Sequence, residues 1–123
     1  MKLKELTDIS PEVRRAVYER DKFGGWTCCV ICGKPSRGQY RQNGIDYESG
    51  IELAHYIGRA QGGRGIEKNC VALCHECHAM MDNGSDPDKQ RVYRQMVRLY
   101  LESHYKGWNE DELKVKGKEY GKS

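Results

Sequence analysis

No run of apolar residues in this chain of 123 approaches the length of about 20 that a membrane-spanning helix needs. Met1 to Glu12 lacks the apolar centre of a secretory signal. A membrane protein and a secreted one are therefore not expected, and a reducing cytoplasm is the expected compartment. Charge of one sign is scarce as well: the net charge is +3, too small by itself to imply a nucleic-acid partner. Apolar residues make up 37% of the chain and charged residues 32%, so the core is thin. A single small domain with so little core usually needs a staple, either disulfides or a metal. Internal repeats and low-complexity stretches are missing too.

What is present is cysteine. Cys28, Cys29, Cys32, Cys70, Cys74 and Cys77 are six in all. Two C-x-x-C pairs in a chain without a secretion signal read as zinc ligation rather than disulfides. Cys29 and Cys32 precede Cys74 and Cys77, with 41 residues between the pairs. Tetrahedral Zn²⁺ takes four thiolates, and two tight turns supply them without strain. Such a site is closed, so it staples the fold and leaves no coordination position for reaction. Cys28 in place of Cys29 gives a less common spacing, and a redox dithiol is the other alternative. Cys28 and Cys70 are left over and read as small buried hydrophobes.

The elements can be laid out in order. Met1 to Ile9 reads as a flexible lead-in. Ser10-Pro11-Glu12 starts a helix, with Ser as cap and Pro at the first position, running to about Asp21. Its Val13, Ala16 and Val17 share a face, and Arg14, Arg15 and Arg20 decorate the outside. Trp26 to Cys29 is a short strand into C-V-I-C-G, where Gly33 permits the tight turn of a zinc knuckle. Pro35 to Tyr47, polar and glycine-containing, reads as a loop. Gly50 to Ile57 alternates as a strand, with Ile51, Leu53 and His55 on one face and Glu52, Ala54 and Tyr56 on the other. After the glycine-rich Gly58 to Gly65, Cys70 to Leu73 is a second strand, and the two form a hairpin with a long connection. Cys74 to about Met81 is a helix with Cys74, Cys77 and His78 on one face; Asp82-Asn83-Gly84 most simply caps its end, with a place for Asp82 near the metal as the alternative. A longer helix begins at Asp86-Pro87 and reaches Tyr105, with an apolar stripe of Val92, Met96, Leu99 and Tyr100. Asn109 and Glu112 cap one further short helix carrying Leu113.

Basic residues concentrate in two places. Lys34 to Arg41 contains no acid, and Gly58 to Lys68 holds Arg59, Arg64 and Lys68 against Glu67. Ordinary solvated loops account for this as readily as a nucleic-acid surface.

One stretch carries chemistry. His55, Asn69, Cys74, Cys77 and His78 stand in H-Y-I-x-R-x-x-G-G-x-G-x-x-x-N-x-V-x-L-C-x-x-C-H. This resembles the HNH nucleases in their four-cysteine zinc form, over about Cys29 to Asp82. The resemblance implies an α+β fold, a small zinc-stapled ββα-metal (His-Me finger) domain with flanking N- and C-terminal helices. On that reading residues 1–27 are lead-in and helix, 28–85 the zinc domain, 86–115 C-terminal helices packing on it, and 116–123 a flexible tail. It implies a structural Zn²⁺ and one catalytic divalent ion, whether Mg²⁺, Mn²⁺, Zn²⁺ or Ni²⁺. It gives His55 as general base, His78 as metal ligand and Asn69 as the residue orienting the base or supporting the metal region. Phosphodiester hydrolysis suits these types: an imidazole of near-neutral pKa takes a proton from water, and a cation faces the phosphate.

One position departs from the family pattern. Many relatives carry Asp, Glu or His just before the base; here it is Ala54, and a methyl binds no cation. Glu52, two residues earlier on the same strand face, is the candidate replacement ligand. Arg59, Arg64 and Lys68 are candidate DNA contacts, and Gly62, Gly63 and Gly65 would let backbone approach a phosphate. The expected activity is DNA cleavage with low sequence specificity. The alternative is a catalytically weak or inactive zinc-bound DNA- or protein-binding module, which Ala54 keeps open. The short format is similar to phage-encoded or bacterial-host HNH proteins, some of which work with phage packaging proteins.

Overall fold

Strand β6, Cys70–Cys74, is buried along its whole length and the rest of the chain is arranged around it. The computed structural model describes residues 2–117. Helix α1 is Leu3–Thr7 and α2 is Pro11–Arg20. A two-residue pair, β1 (Lys22–Phe23) and β2 (Trp26–Thr27), leads into the first cysteine turn. Then come β3 (Gln39–Gln42), β4 (Ile45–Glu48) and β5 (Ile51–His55). After β6 the chain forms α3 (His75–Asn83) and α4 (Pro87–His104), and a 3-10 turn at Glu110–Leu113. The fold is α+β, with four cysteines clustered on a small sheet-and-helix body.

The main sheet has the order β3-β4-β5-β6, all antiparallel. The expected hairpin is β5 with β6, in a register pairing Ile51 with Cys74 and His55 with Cys70. The outer edge of β6 would expose unpaired backbone groups, which is costly inside a protein. Two groups satisfy it. The Val30 N–H from the cysteine turn donates to the Ala72 carbonyl at 3.0 Å. The Ala72 N–H donates to an Asp21 carboxylate oxygen at 2.8 Å.

That buried carboxylate explains a departure from the sequence reading. Arg20 does not decorate the outside of α2. Its guanidinium takes both Asp21 oxygens and also donates to the Glu67 and Cys70 carbonyls. Tyr100 of α4 donates its hydroxyl to Asp21 as well. An unpaired buried charge is expensive, so one position that must reach β6 recruits its partners inward.

Three other expectations fail for identifiable reasons. Residues 3–7 are helical rather than a loose lead-in: Thr7 is 3% exposed and the Gly65 N–H donates to the Leu6 carbonyl at 3.1 Å. A Cβ on Gly65 would collide with the Asp8 carbonyl, so glycine lets α1 lie against this loop. Residues 39–48 form the β3–β4 hairpin rather than a loop. Its turn, Asn43-Gly44, takes positive φ at both residues, a common hairpin turn. On α4 the buried positions are Val97 and Leu101, while Val92, Met96 and Leu99 are exposed. Of the expected stripe Tyr100 packs against the core, and the buried face otherwise runs one residue further along the helix. The N-cap Ser10, accepting from the Val13 N–H at 3.1 Å, and the Asn109 cap of the last turn are as expected. Of the tail expected at 116–123, residues 118–123 lie outside the described residues.

A single core joins these elements: Tyr18 of α2, Cys29, Ile51 and Ala54 of β5, β6, Met81 of α3, Val97 and Leu101 of α4, Trp108 and Leu113. Among the described residues no helix is long and apolar enough to cross a membrane.

Candidate metal centre and catalytic cleft

The Sγ atoms of Cys29, Cys32, Cys74 and Cys77 lie within 4.8 Å of one another. The Cys32–Cys74 separation is 3.7 Å. That is far beyond a disulfide of about 2.05 Å. It matches the edge of about 3.8 Å of a sulfur tetrahedron around zinc with Zn–S of about 2.3 Å. Each C-x-x-C folds the same way: the Cys32 N–H points at Cys29 Sγ and the Cys77 N–H at Cys74 Sγ, both at 3.5 Å. Gly33 closes the first turn at φ +81°, a conformation costly for other residues. Burial pushes the Cys74 thiol up to about 11 and raises that of Cys77 too. Four thiolates are stable there only around a cation, so the donor set fits Zn²⁺. Cys28 and Cys70 stay outside the cluster; Cys70 is fully buried, where burial pushes its thiol up to about 12.

His55 and His78 line one cleft of about 500 Å³, together with Asp8, Arg14, Arg59 and Asp82. His55 ends β5, and its Nε2 lies 2.7 Å from the Thr7 carbonyl. A carbonyl oxygen only accepts, so Nε2 carries the proton, and in the neutral ring Nδ1 holds the lone pair. Burial pushes the His55 pKa below the ordinary imidazole value, outweighing the Thr7 carbonyl. The ring is therefore neutral near pH 7.

His78 sits on the first turns of α3, directly after Cys77. Glu52 Oε1 accepts from its Nδ1 at 2.7 Å, and Asp82 Oδ2 from its Nε2 at 3.1 Å. A carboxylate at each ring nitrogen raises its pKa, with Asp82 contributing most. Burial opposes ionisation of Glu52, yet its bonds to His78 and His75 hold the carboxyl below its usual range. Asp82 lines the cleft and Glu52 does not. Asp82 thus belongs inside α3 facing His78, not to the helix cap, which falls at Gly84.

Asn69 is fully buried and does not touch His55. Its Oδ1 accepts from the Ile57 N–H at 2.8 Å, and its Nδ2 donates to the Ile57 and Arg64 carbonyls at 3.0 and 2.9 Å. It pins the chain just beyond His55 to the start of β6. Arg59 lines the cleft, paired with Asp8. Lys68 faces away from the cleft, 3.9 Å from Glu112, and the Arg64 backbone bonds to Leu113. The glycines at 63 and 65 spend their close approaches on Ile57 and Asp8 of the same chain.

Sequence reasoning missed Thr7, and it set Asp82 first at the helix end and only second beside the metal, and Arg14 first on a solvated face of α2 and only second against phosphate. Asp82 stands four residues after His78, the spacing of neighbours on a helix face, and was readable. Thr7 acts through a backbone carbonyl, which no side-chain pattern records.

A family model described as HNH endonuclease matches residues 29–84, just under half of the chain. Residues 29–84 are thus similar to an HNH endonuclease domain. The matched span holds both cysteine pairs, the β5–β6 hairpin and α3. Among solved structures, the chain is similar to one titled "Structure of the Type IV phosphorothioation-dependent restriction endonuclease ScoMcrA". The two are 23% identical with a TM-score of 0.52, over 77% of this chain and 20% of that one. The chain thus spans about a fifth of that protein, and the likeness speaks for the fold. A search of curated proteins finds no match.

Proposed function

We propose that this chain is a metal-dependent endonuclease that hydrolyses DNA phosphodiester bonds with low sequence specificity. The observation that carries the reading is the placing of His55 and His78 in one cleft, with Nδ1 of a neutral His55 free to accept a proton. His55 is the general base: it takes a proton from the water that attacks phosphorus, one P–O ester bond breaks, and the leaving oxygen takes up a proton. His78 and Asp82 would hold the catalytic divalent ion, Mg²⁺, Mn²⁺, Zn²⁺ or Ni²⁺. When bound, that ion supplies charge stabilisation at the phosphate. Glu52 orients the His78 ring from its other nitrogen, in the manner of carboxylates that stand behind ligating histidines. Asn69 is a positioning residue, holding the segment after His55. Arg59 contacts phosphate, which positions DNA without reading sequence. Arg64 and Lys68, from their placement, contribute less.

The zinc domain is assigned to residues 28–85, with 1–27 and 86–115 covering it. Six unpaired cysteines suit a reducing cytoplasm, bacterial or of a phage-infected host. A second reading, a zinc-bound binding module of weak or no activity, is favoured by Ala54, which is fully buried and offers no ligand before the base.

Supercoiled plasmid incubated with Mg²⁺, Mn²⁺ or Ni²⁺ separates the two. Nicking that needs the ion and vanishes in His55→Ala supports the enzyme. No nicking by the wild-type protein with any of the ions, while DNA is still bound, would establish the module.

A further inference from the structure

The acid-free stretch from Lys34 to Arg41 enters the β3–β4 hairpin, which neither the zinc site nor the proposed chemistry uses. On this hairpin Tyr40 and Tyr47 are directly paired across the strands, and their rings stack at 5.2 Å with 15° between planes. Tyr40 is 51% exposed, so the ring face away from Tyr47 is open to a ligand.

Arg14 of α2 links this stack to the cleft. Its guanidinium sits over the Tyr47 ring, 4.8 Å from the centroid, and donates to the Tyr18 hydroxyl at 3.0 Å. Among the described residues no carboxylate pairs with it, whereas Arg15 and Arg41 both face Asp46. A guanidinium held in place by two tyrosines, with its charge unanswered, is set up to take an anion.

The surface is continuous. Arg14 and Leu53 belong both to the wall of the His55–His78 cleft and to the wall of an adjoining cavity of about 350 Å³. That second cavity is lined by Tyr40 and Tyr47, along with the carboxylates of Glu48 and Glu52. A chain of phosphates passing the catalytic histidines therefore meets Arg14 next, and then an aromatic face. In a paired duplex the bases are turned inward and cannot lie on a side chain. An unpaired strand can place a base on an exposed ring, a contact that tolerates any sequence.

We propose that this groove binds an unpaired stretch of DNA strand flanking the cleaved phosphate, with a phosphate on Arg14 and a base stacked on Tyr40. The inference rests on the nuclease reading for the place of the cut, but not for the binding itself. The preferred substrate is then DNA with a single-stranded arm, such as a flap or a splayed end, over a fully paired duplex.

Binding is measured by fluorescence anisotropy on the full chain with zinc, carrying His55→Ala so that nothing is cut. The probes are a 20-nucleotide single strand of mixed sequence, a blunt duplex of the same sequence, and that duplex with a single-stranded arm. The armed duplex and the single strand should bind at least 10-fold more tightly than the blunt duplex. Tyr40→Ala should lower the ratio of single-strand to duplex affinity by about 5- to 150-fold, the range for one stacked base. Tyr40→Trp should keep the ratio. Arg14→Ala should weaken single-strand binding and reduce its salt dependence by about one phosphate contact. A variant that merely folds less well would weaken all probes together and leave the ratio unchanged. Equal affinity for all three probes, or an unchanged ratio in Tyr40→Ala, overturns the proposal. Preference for unpaired DNA without any nicking by the wild-type protein would leave this inference standing and sink the nuclease one.

Discussion

Two sites share the first turns of α3, and they are built on opposite principles. At Cys29, Cys32, Cys74 and Cys77 the donors are sulfurs, three of them buried, converging on a point with nothing else admitted. One residue later His78 faces a cleft of about 500 Å³ with its ring a quarter exposed and carboxylates at both nitrogens. The closed corner fixes the helix; the open one uses the fixed helix to aim an imidazole. A thin core can leave such a cleft open because the staple beside it does the work of many apolar contacts.

The comparison breaks most visibly on metal removal. Apparent zinc affinities of structural sites are worth about 10–16 kcal/mol, as much as or more than the whole stability of a small domain. Stripping zinc with a strong chelator, or replacing Cys74 by Ser, should unfold the protein, seen as loss of helical circular dichroism that returns with Zn²⁺ in the wild type alone. Mild chelation should abolish nicking and leave the spectrum unchanged. A single midpoint for both losses would mean that the two sites are not independent.

His55→Ala comes next. It should lower nicking by about 10²–10⁴-fold, the usual range for a lost general base, with little change in melting temperature. The sign of the pH dependence follows from burial. With the His55 pKa below the ordinary imidazole value, the neutral base persists on acidification, and the rate should fall only once the pH drops through that lowered value. An acid limb above the ordinary value would assign the base elsewhere.

Asn69→Ala should act on stability first. It removes an amide whose three hydrogen bonds satisfy buried backbone groups at Ile57 and Arg64, a loss of about 2–4 kcal/mol. Denaturant unfolding would register it, with activity falling in proportion to the folded fraction at the assay temperature. Activity lost with stability intact would instead place Asn69 in the chemistry.

The smallest and sharpest contrast lies between the two carboxylates on His78. Glu52→Gln should raise the divalent-ion concentration for half-maximal nicking by about 10- to 100-fold, the range for a group behind a ligand, and Asp82→Asn by more. The reverse order would make Glu52 the ligand.

Much of this was legible in the sequence because it is periodic or regularly spaced. The two C-x-x-C pairs, the β5–β6 hairpin with its long connection, the Ser10 and Asn109 caps and the helix bearing His78 are all local patterns. What escaped is non-local or lies in the backbone. Arg20 looked like surface because its partner Asp21 is drawn inward by the free edge of β6, forty-nine residues or more along the chain. The β3–β4 hairpin hid in polar residues, since β3 is exposed along its length and β4 is only half-buried, with Glu48 its one buried residue. Leu99 and Leu101 are equally apolar, and only the way α4 packs on the shared core decides which of them is buried.

The Thr7 carbonyl has one more consequence. For His55 to act as the proposed base its proton must rest on the correct nitrogen, and the hydrogen-bond acceptor facing the ring belongs to α1, a helix of five residues near the amino end. Residues 2–8 supply no residue to the shared apolar core. Detaching them would leave a well-folded protein whose imidazole proton sits on either nitrogen, so that folding and competence would part company at the first helix.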